Sequence, residues 1–199
     1  MKITRELMRQ WNACYTDEKI ASLVPEEGLA PLEIANLDIP VEDRLRVLLR
    51  EDVIPSRDLR LLACGWSESA CAKTGWNDKR SLEAIAVARR FADGEATDAE
   101  LAAARSAAWA AAADSEVLYS AAARSAAWAA GWSPWLARSA AEASAEARAA
   151  AAWSAAARGS CSAWVACSEA EVAAWAEQLA DAVRVIKRLN EAAKAVGGC

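Results

Sequence analysis

Histidine is absent from this 199-residue chain. Its absence removes Ser-His-Asp and Cys-His nucleophilic catalysis, and every metal site that relies on imidazole. Glycine is scarce, at eight residues, and neither GxGxxG nor GxxxxGK[ST] occurs, so no standard phosphate-cradling loop is encoded. The six cysteines, Cys14, Cys64, Cys71, Cys161, Cys167 and Cys199, include no CxxC pair. They read as reduced, mostly buried thiols that pack as small apolar residues, not as zinc ligands or a disulfide framework. No apolar run approaches the roughly 18 residues of a membrane span. The opening MKITRELMRQW carries charges where a signal peptide needs an apolar stretch. Paired acids occur (Glu26-Glu27, Glu51-Asp52), but in charged turns where carboxylates stay ordinary. The expectation is a soluble cytosolic protein with no membrane partner, no catalytic residues, no metal and no cofactor.

Phenylalanine appears once and tyrosine twice, whereas tryptophan appears ten times, and much of the remaining apolar content is alanine. Alanine is the best helix former and loses no side-chain entropy on folding. The composition therefore predicts an all-α protein, an alanine- and tryptophan-rich helical bundle. The net charge of −5 argues against nucleic-acid binding, which needs a basic surface.

Residues 1–55 hold four of the five prolines (Pro25, Pro31, Pro40, Pro55) and read as a small N-terminal helical appendage. Thr4 caps its first helix, Pro25 stops DEKIASLV, and Pro40 opens PVEDRLRVLLR. Residues 56–196 read as the bundle and residues 197–199 as a flexible tail. Ser56 is expected to cap a helix carrying Leu59, Leu62, Ala63 and Trp66 inward and ending at Gly75. Asn77 or Asp78 caps the next, with Leu82, Ile85 and Ala86 as its apolar face and Gly94 as its stop. Thr97 to Glu100 is a capping box. Helix breaks are expected at Asp114-Ser115, at Gly131 to Pro134 and at Gly159-Ser160, with Ser133-Pro134 as a start signal. A second capping box, Ser168 to Glu171, is expected to begin a last helix. Its seam, Val172, Trp175, Leu179, Ala182, Ile186 and Leu189, advances in steps of three and four.

The block ARSAA occurs at 104–108, 123–127 and 137–141, twice followed by tryptophan, Trp109 and Trp128. The spacings between copies are too irregular for a solenoid. On a helix, Ala104, Ala107, Ala108 and Ala111 share one side, as do Ala123, Ala126, Ala127 and Ala130. Alanine stripes let helices approach closely, and tryptophan fills the gaps that alanine leaves. The arginines in this region, Arg105, Arg124, Arg138, Arg148 and Arg158, have two readings. They form a solvated face pairing with Asp114, Glu142 and Glu146. Alternatively, they converge with Trp109, Trp128 and Ser106, Ser125 and Ser139 on a small planar anion such as a nucleotide.

One stretch resembles a known family. Ala70-Cys71-Ala72, Asn77 through Ile85 (NDKRSLEAI), Ala88-Arg89-Arg90 and Gly94-Glu95-Ala96, continuing into ARSAAWAA, are similar to alanine-rich helical immunity proteins of bacterial polymorphic toxin systems, also carried by phages and prophages. The likeness covers roughly residues 60–160; relatives carry histidines among the alanines, which this chain lacks. The resemblance implies a helical protein that neutralises a toxin or host defence factor by binding it. Acidic immunity proteins meet basic toxins, with charge speeding encounter. Trp132 and Trp135, at the turn Gly131 to Pro134, are the expected protein contacts, because tryptophan is a favoured interface anchor. Two other readings stand beside this one: a protein that sequesters a small anionic ligand, and a structural helical homo-oligomer packing through its alanine faces.

Overall fold

The computed structural model describes residues 1–11, 13, 15–131, 136–157 and 163–197. The expected start at Ser133-Pro134, the break at Gly159-Ser160, and Trp132, Trp135, Arg158, Cys14, Cys161 and Cys199 lie outside the described residues. Among those described there are ten helices and no strand. They are α1 (Arg5–Gln10), α2 (Asp17–Leu23), α3 (Pro31–Ile34), α4 (Val41–Leu48), α5 (Ser56–Thr74), α6 (Lys79–Ala92), α7 (Asp98–Asp114), α8 (Val117–Ala129), α9 (Ala137–Ala157) and α10 (Ala163–Gly197). The protein is all-α, as its composition dictates. Among the described residues no helix is long and apolar enough to cross a membrane.

Alanine sets the architecture. Helix α8 is packed by α5, α6, α7 and α9, and Ala121, Ala122, Ala123, Ala126, Ala127, Ala129 and Ala130 are all buried. A helix enclosed on so many sides leaves no room for long side chains, so its inward positions hold the smallest apolar residue. Helix α9 lies between α5, α8 and α10, and α10 continues along α9 to reach α3 and α4. The stripe of α7 is buried at Ala104, Ala108 and Ala111 and half-buried at Ala107. The N-terminal segment shares this core: Ile3, Ile20, Ile34, Leu45 and Leu48 belong to the same buried cluster as Leu59, Ala126 and Ile186. Its first residues are fixed by a two-residue antiparallel pairing, Ile3 N to Leu29 O at 2.7 Å and Leu29 N to Ile3 O at 3.0 Å. Gly28 makes that approach possible. Its φ is +77°, and a Cβ there would stand 2.9 Å from the Ile3 carbonyl oxygen.

The caps follow the sequence at most ends. Thr4, Asp78 and Thr97 accept from backbone amides at the starts of α1, α6 and α7, and the Thr97–Glu100 box is complete. Gly75 closes α5 in the left-handed conformation, and Gly94 follows α6 with φ +78°. Four expectations need correction. Ser56 is the first residue of α5, not its cap; Pro55 holds that position, and the Ser56 hydroxyl donates to Glu51 instead. The tetrad Ser168 to Glu171 starts no helix, because α10 already runs from Ala163. Nothing in the preceding alanines interrupts it, and a capping tetrad is also compatible with a helix interior. Helix α6 turns Ala84, Ile85, Val87 and Ala88 inward and leaves Leu82 and Ala86 exposed. At 100° per residue the inward arc runs from Val87 through Ala84, Ala88 and Ser81 to Ile85, and Leu82 lies about 60° beyond Ile85, outside it. On α10, Trp175, Ala182 and Ile186 are buried and Leu179 packs against the core, but Val172 is 62% exposed.

Candidate functional site

The ARSAA tryptophans come together. The rings of Trp109 (α7) and Trp128 (α8) meet edge to face, 5.1 Å between centroids and 85° between planes, half-buried against the core. This is the favourable quadrupolar arrangement. Beside them Arg124 reaches Glu146 on α9 (2.6 Å) and Ser120 (3.3 Å). Trp109, Ala112, Ala113, Ser120 and Arg124 line an open cleft of about 250 Å³. Of the candidate arginines among the described residues, only Arg124 lines it. Arg138 pairs with Glu142 along α9 (2.8 Å), and Arg148 pairs with Glu177 of α10 (2.8 Å). Asp114 takes Arg80 at 2.7 Å. Arg105 is half-buried on α7 and Ser106 exposed; Ser125 is buried in the bundle interior and Ser139 half-buried. The structure therefore gathers Trp109, Trp128 and Arg124 but spreads Arg138 and Arg148 over other faces.

A larger concave surface lies elsewhere among the described residues. A groove of about 640 Å³ runs between the α3–α4 segment and α10. One wall holds Leu32, Ala35, Asn36, Ile39, Pro40, Val41 and Arg44; the other holds Val172, Ala176, Leu179, Ala180, Val183 and Lys187. The α10 residues recur at helical spacing along one stripe. They face the groove because α10 turns Trp175, Ala182 and Ile186 into the bundle, about 90° away around the helix at 100° per residue. Val172 is exposed because it projects into this groove.

The groove has a sign. Its two ionisable residues are Arg44 and Lys187, both cations, and among the described residues neither lies within ion-pair distance of a carboxylate. Arg44 Nη1 donates to the Ala35 carbonyl at 3.1 Å, which pins the guanidinium to the end of α3. Its Nε is buried with no hydrogen-bond acceptor. A buried donor without an acceptor carries a desolvation penalty. The chain as a whole is acidic at −5, so this surface carries the minority charge.

A second cation cluster is too closed to hold a ligand. Met8, Trp11, Tyr15, Asp43, Arg46 and Arg50 surround a cavity of only about 20 Å³, room for a single water. Tyr15 donates to Asp43 at 2.6 Å, and Arg50 stacks on Trp11, 5.2 Å from its centroid. Burial, then the nearby Arg138 and Arg46, hold the Arg50 pKa below its ordinary value.

Several buried polar groups escape sequence reasoning. Arg60 is nearly buried; its Nη1 donates to Gly131 O (2.7 Å) and Ala129 O (3.3 Å) at the end of α8, and its plane lies 4.9 Å from the Phe91 ring centroid. Desolvation lowers its pKa. Gln178 is buried and donates to Ala141 O at 3.0 Å. Arg60 lies between Leu59 and Leu61 and Gln178 between Glu177 and Leu179, and no local pattern marks either as buried. Comparison with protein-family models, curated proteins and solved structures finds no match to this chain, so the functional reading rests on these residues.

Proposed function

We propose that this chain is a non-enzymatic binding protein that neutralises a protein partner by seating an acidic amphipathic helix of that partner in the groove between α3–α4 and α10. One observation carries the reading: an apolar groove whose charged groups are the cations Arg44 and Lys187, with the Arg44 Nε buried and lacking an acceptor. Apolar floors with a charged rim suit helix-in-groove recognition, where residues at i, i+3, i+4 and i+7 supply the anchors. Val172 to Lys187 spans about 22 Å of α10 at 1.5 Å per residue, room for about four helical turns of a partner. The absence of histidine and of phosphate-loop motifs supports a role without catalysis. The reading differs in one respect from the family resemblance, which implies a basic partner. The groove favours an acidic segment, whatever the net charge of the protein that carries it.

The test uses a fluorescein-labelled synthetic helix of about 15 residues, with leucines on one face and glutamates flanking them. Fluorescence anisotropy is expected to give saturable binding that weakens at least tenfold in Arg44→Glu/Lys187→Glu and falls with added salt. No saturable binding, or equal binding by the double variant, would remove the groove as the site.

A further inference from the structure

Gly65 sits at the centre of α5, in ordinary helical conformation. Glycine there destabilises a helix relative to alanine, because it loses more backbone entropy on folding. Packing gives no reason for it: a Cβ built at Gly65 meets no atom within 4 Å. Gly28, by contrast, is required by both its φ and its neighbours. The vacancy at Gly65 opens onto a cleft of about 420 Å³ between α5 and α10, walled by Leu61, Leu62, Trp66 and Val185.

The charges at the rim of this cleft are already matched. Arg188 donates to Asp58 at 2.6 Å, Trp66 Nε1 donates to Asp181 at 2.9 Å, and Arg184 also pairs with Asp181. A charged occupant would have to break one of these pairs, so a neutral one fits. The cleft opens on the flank of α10 away from the cationic groove, about 140° around the helix at 100° per residue. The two therefore flank one exposed ridge that includes Ala173, Ala180 and Arg184.

We infer that the cleft at Gly65 is a second pocket of the docking face, taking one bulky uncharged side chain, leucine or aromatic, from the partner. Missing atoms at residue 65 let that side chain reach the α5 backbone. The assignment extends the groove reading, in which α10 presents the docking face, but its test is separate.

The probe is N-acetyl-tryptophanamide, a neutral amphipathic ring, titrated into the 15N-labelled full chain. Amide resonances of Gly65, Leu62 and Val185 are expected to shift saturably at millimolar probe. Gly65→Leu, which fills the vacancy, is expected to weaken this at least tenfold; Arg44→Glu/Lys187→Glu is expected to leave it unchanged. Gly65→Ala adds only a methyl group to open space, so it is expected to raise Tm while weakening probe binding several-fold, and it serves if the leucine variant does not fold. Absent or non-saturable shifts at Gly65 in the wild type, or shifts at Leu62 and Val185 that saturate in both Gly65→Leu and Gly65→Ala as readily as in the wild type, would overturn the pocket. That outcome would leave the cationic groove standing if the acidic helix still bound there. Failure of the acidic helix with retention of these shifts would remove the groove and keep the cleft.

Discussion

Arg148 of α9 donates from Nη1 to Glu177 of α10 at 2.8 Å, and the two partners differ sharply in environment: Arg148 is 7% exposed and Glu177 57%. The arginine is committed to the interface between the two helices, while the carboxylate stands at its edge, where Lys73 approaches its other oxygen at 3.7 Å. Removing the acid therefore leaves a nearly buried cation, and removing the arginine leaves only a solvated carboxylate.

That asymmetry predicts unequal mutants. Glu177→Gln is expected to cost about 1 kcal/mol, well short of a fully buried pair because water reaches the carboxylate. Arg148→Met, similar in volume and uncharged, leaves no buried charge behind and is expected to cost less than Glu177→Gln. The hydrogen bond from Arg148, the largest cause, lowers the Glu177 pKa from its ordinary 4.5. The folded pKa is below the unfolded one, so the contribution is complete above about pH 4.5 and is lost as pH falls through the lower folded value. Urea unfolding at pH 7, 5, 4 and 3 checks the sign: the difference between wild type and Glu177→Gln should shrink on acidification. A difference that grew would mean the pair does not stabilise the fold.

Cys64 and Cys71 are buried thiols on α5. Burial is the main cause that pushes Cys64 up to about 12 and Cys71 up to about 11 from an ordinary 9.0. The raised folded values mean that stability is complete below about pH 9, where both states hold the proton, and falls as pH rises through 11 to 12. At pH 8, iodoacetamide is expected to leave both thiols unmodified in the native protein and to label them at denaturing urea, as read by peptide mass mapping. Rapid native labelling of Cys64 would contradict its placement against the α6 backbone, where its Sγ lies 3.8 Å from Ile85 O.

Much of the fold was legible because punctuation is chemically specific. Thr4, Asp78, the Thr97–Glu100 box and Gly75 mark real helix ends, since each satisfies orphaned backbone groups or a left-handed φ. Facing was less legible. Where nearly every position is alanine, periodicity cannot say which side turns inward, and on α6 hydrophobicity favoured Leu82, which lies outside the inward arc of Ala84 and Ala88. The groove was not legible at all. It exists because α10 crosses α3 and α4, and it joins Arg44 to Lys187 across more than half the chain. The ARSAA tryptophans were readable as partners for alanine holes, but their arginines diverge: Arg138 pairs with Glu142 along α9, whereas Arg124 reaches from α8 across to Glu146.

Ser67 and Ser125 join α5 to α8 in the interior, Oγ to Oγ at 2.8 Å, and Ser125 also donates to Ala140 O of α9 at 3.0 Å. Three helices meet there around hydroxyls with no exposure. Ser125→Ala is expected to cost about 1 kcal/mol for the lost hydrogen bonds. Ser125→Val adds branched volume to a contact set by small side chains and is expected to cost about 2–3 kcal/mol more. Thermal unfolding should rank wild type above alanine and alanine above valine; a valine variant as stable as alanine would show the seam to be loosely packed.

Trp109 and Trp128 test the meaning of the repeat itself. Each follows an ARSAA block, and each places its ring against the other's at 5.1 Å. Both are half-buried, so either tryptophan-to-alanine change is expected to cost about 2 kcal/mol, below the roughly 3–5 kcal/mol of a fully enclosed ring. Because the edge-to-face contact is lost with either ring, the double variant is expected to cost about 1 kcal/mol less than the sum of the singles. A double-mutant cycle by urea denaturation measures that coupling. Additive costs would mean that the rings stabilise α7 and α8 independently, each against its own alanine surface, and that their meeting contributes nothing to the fold.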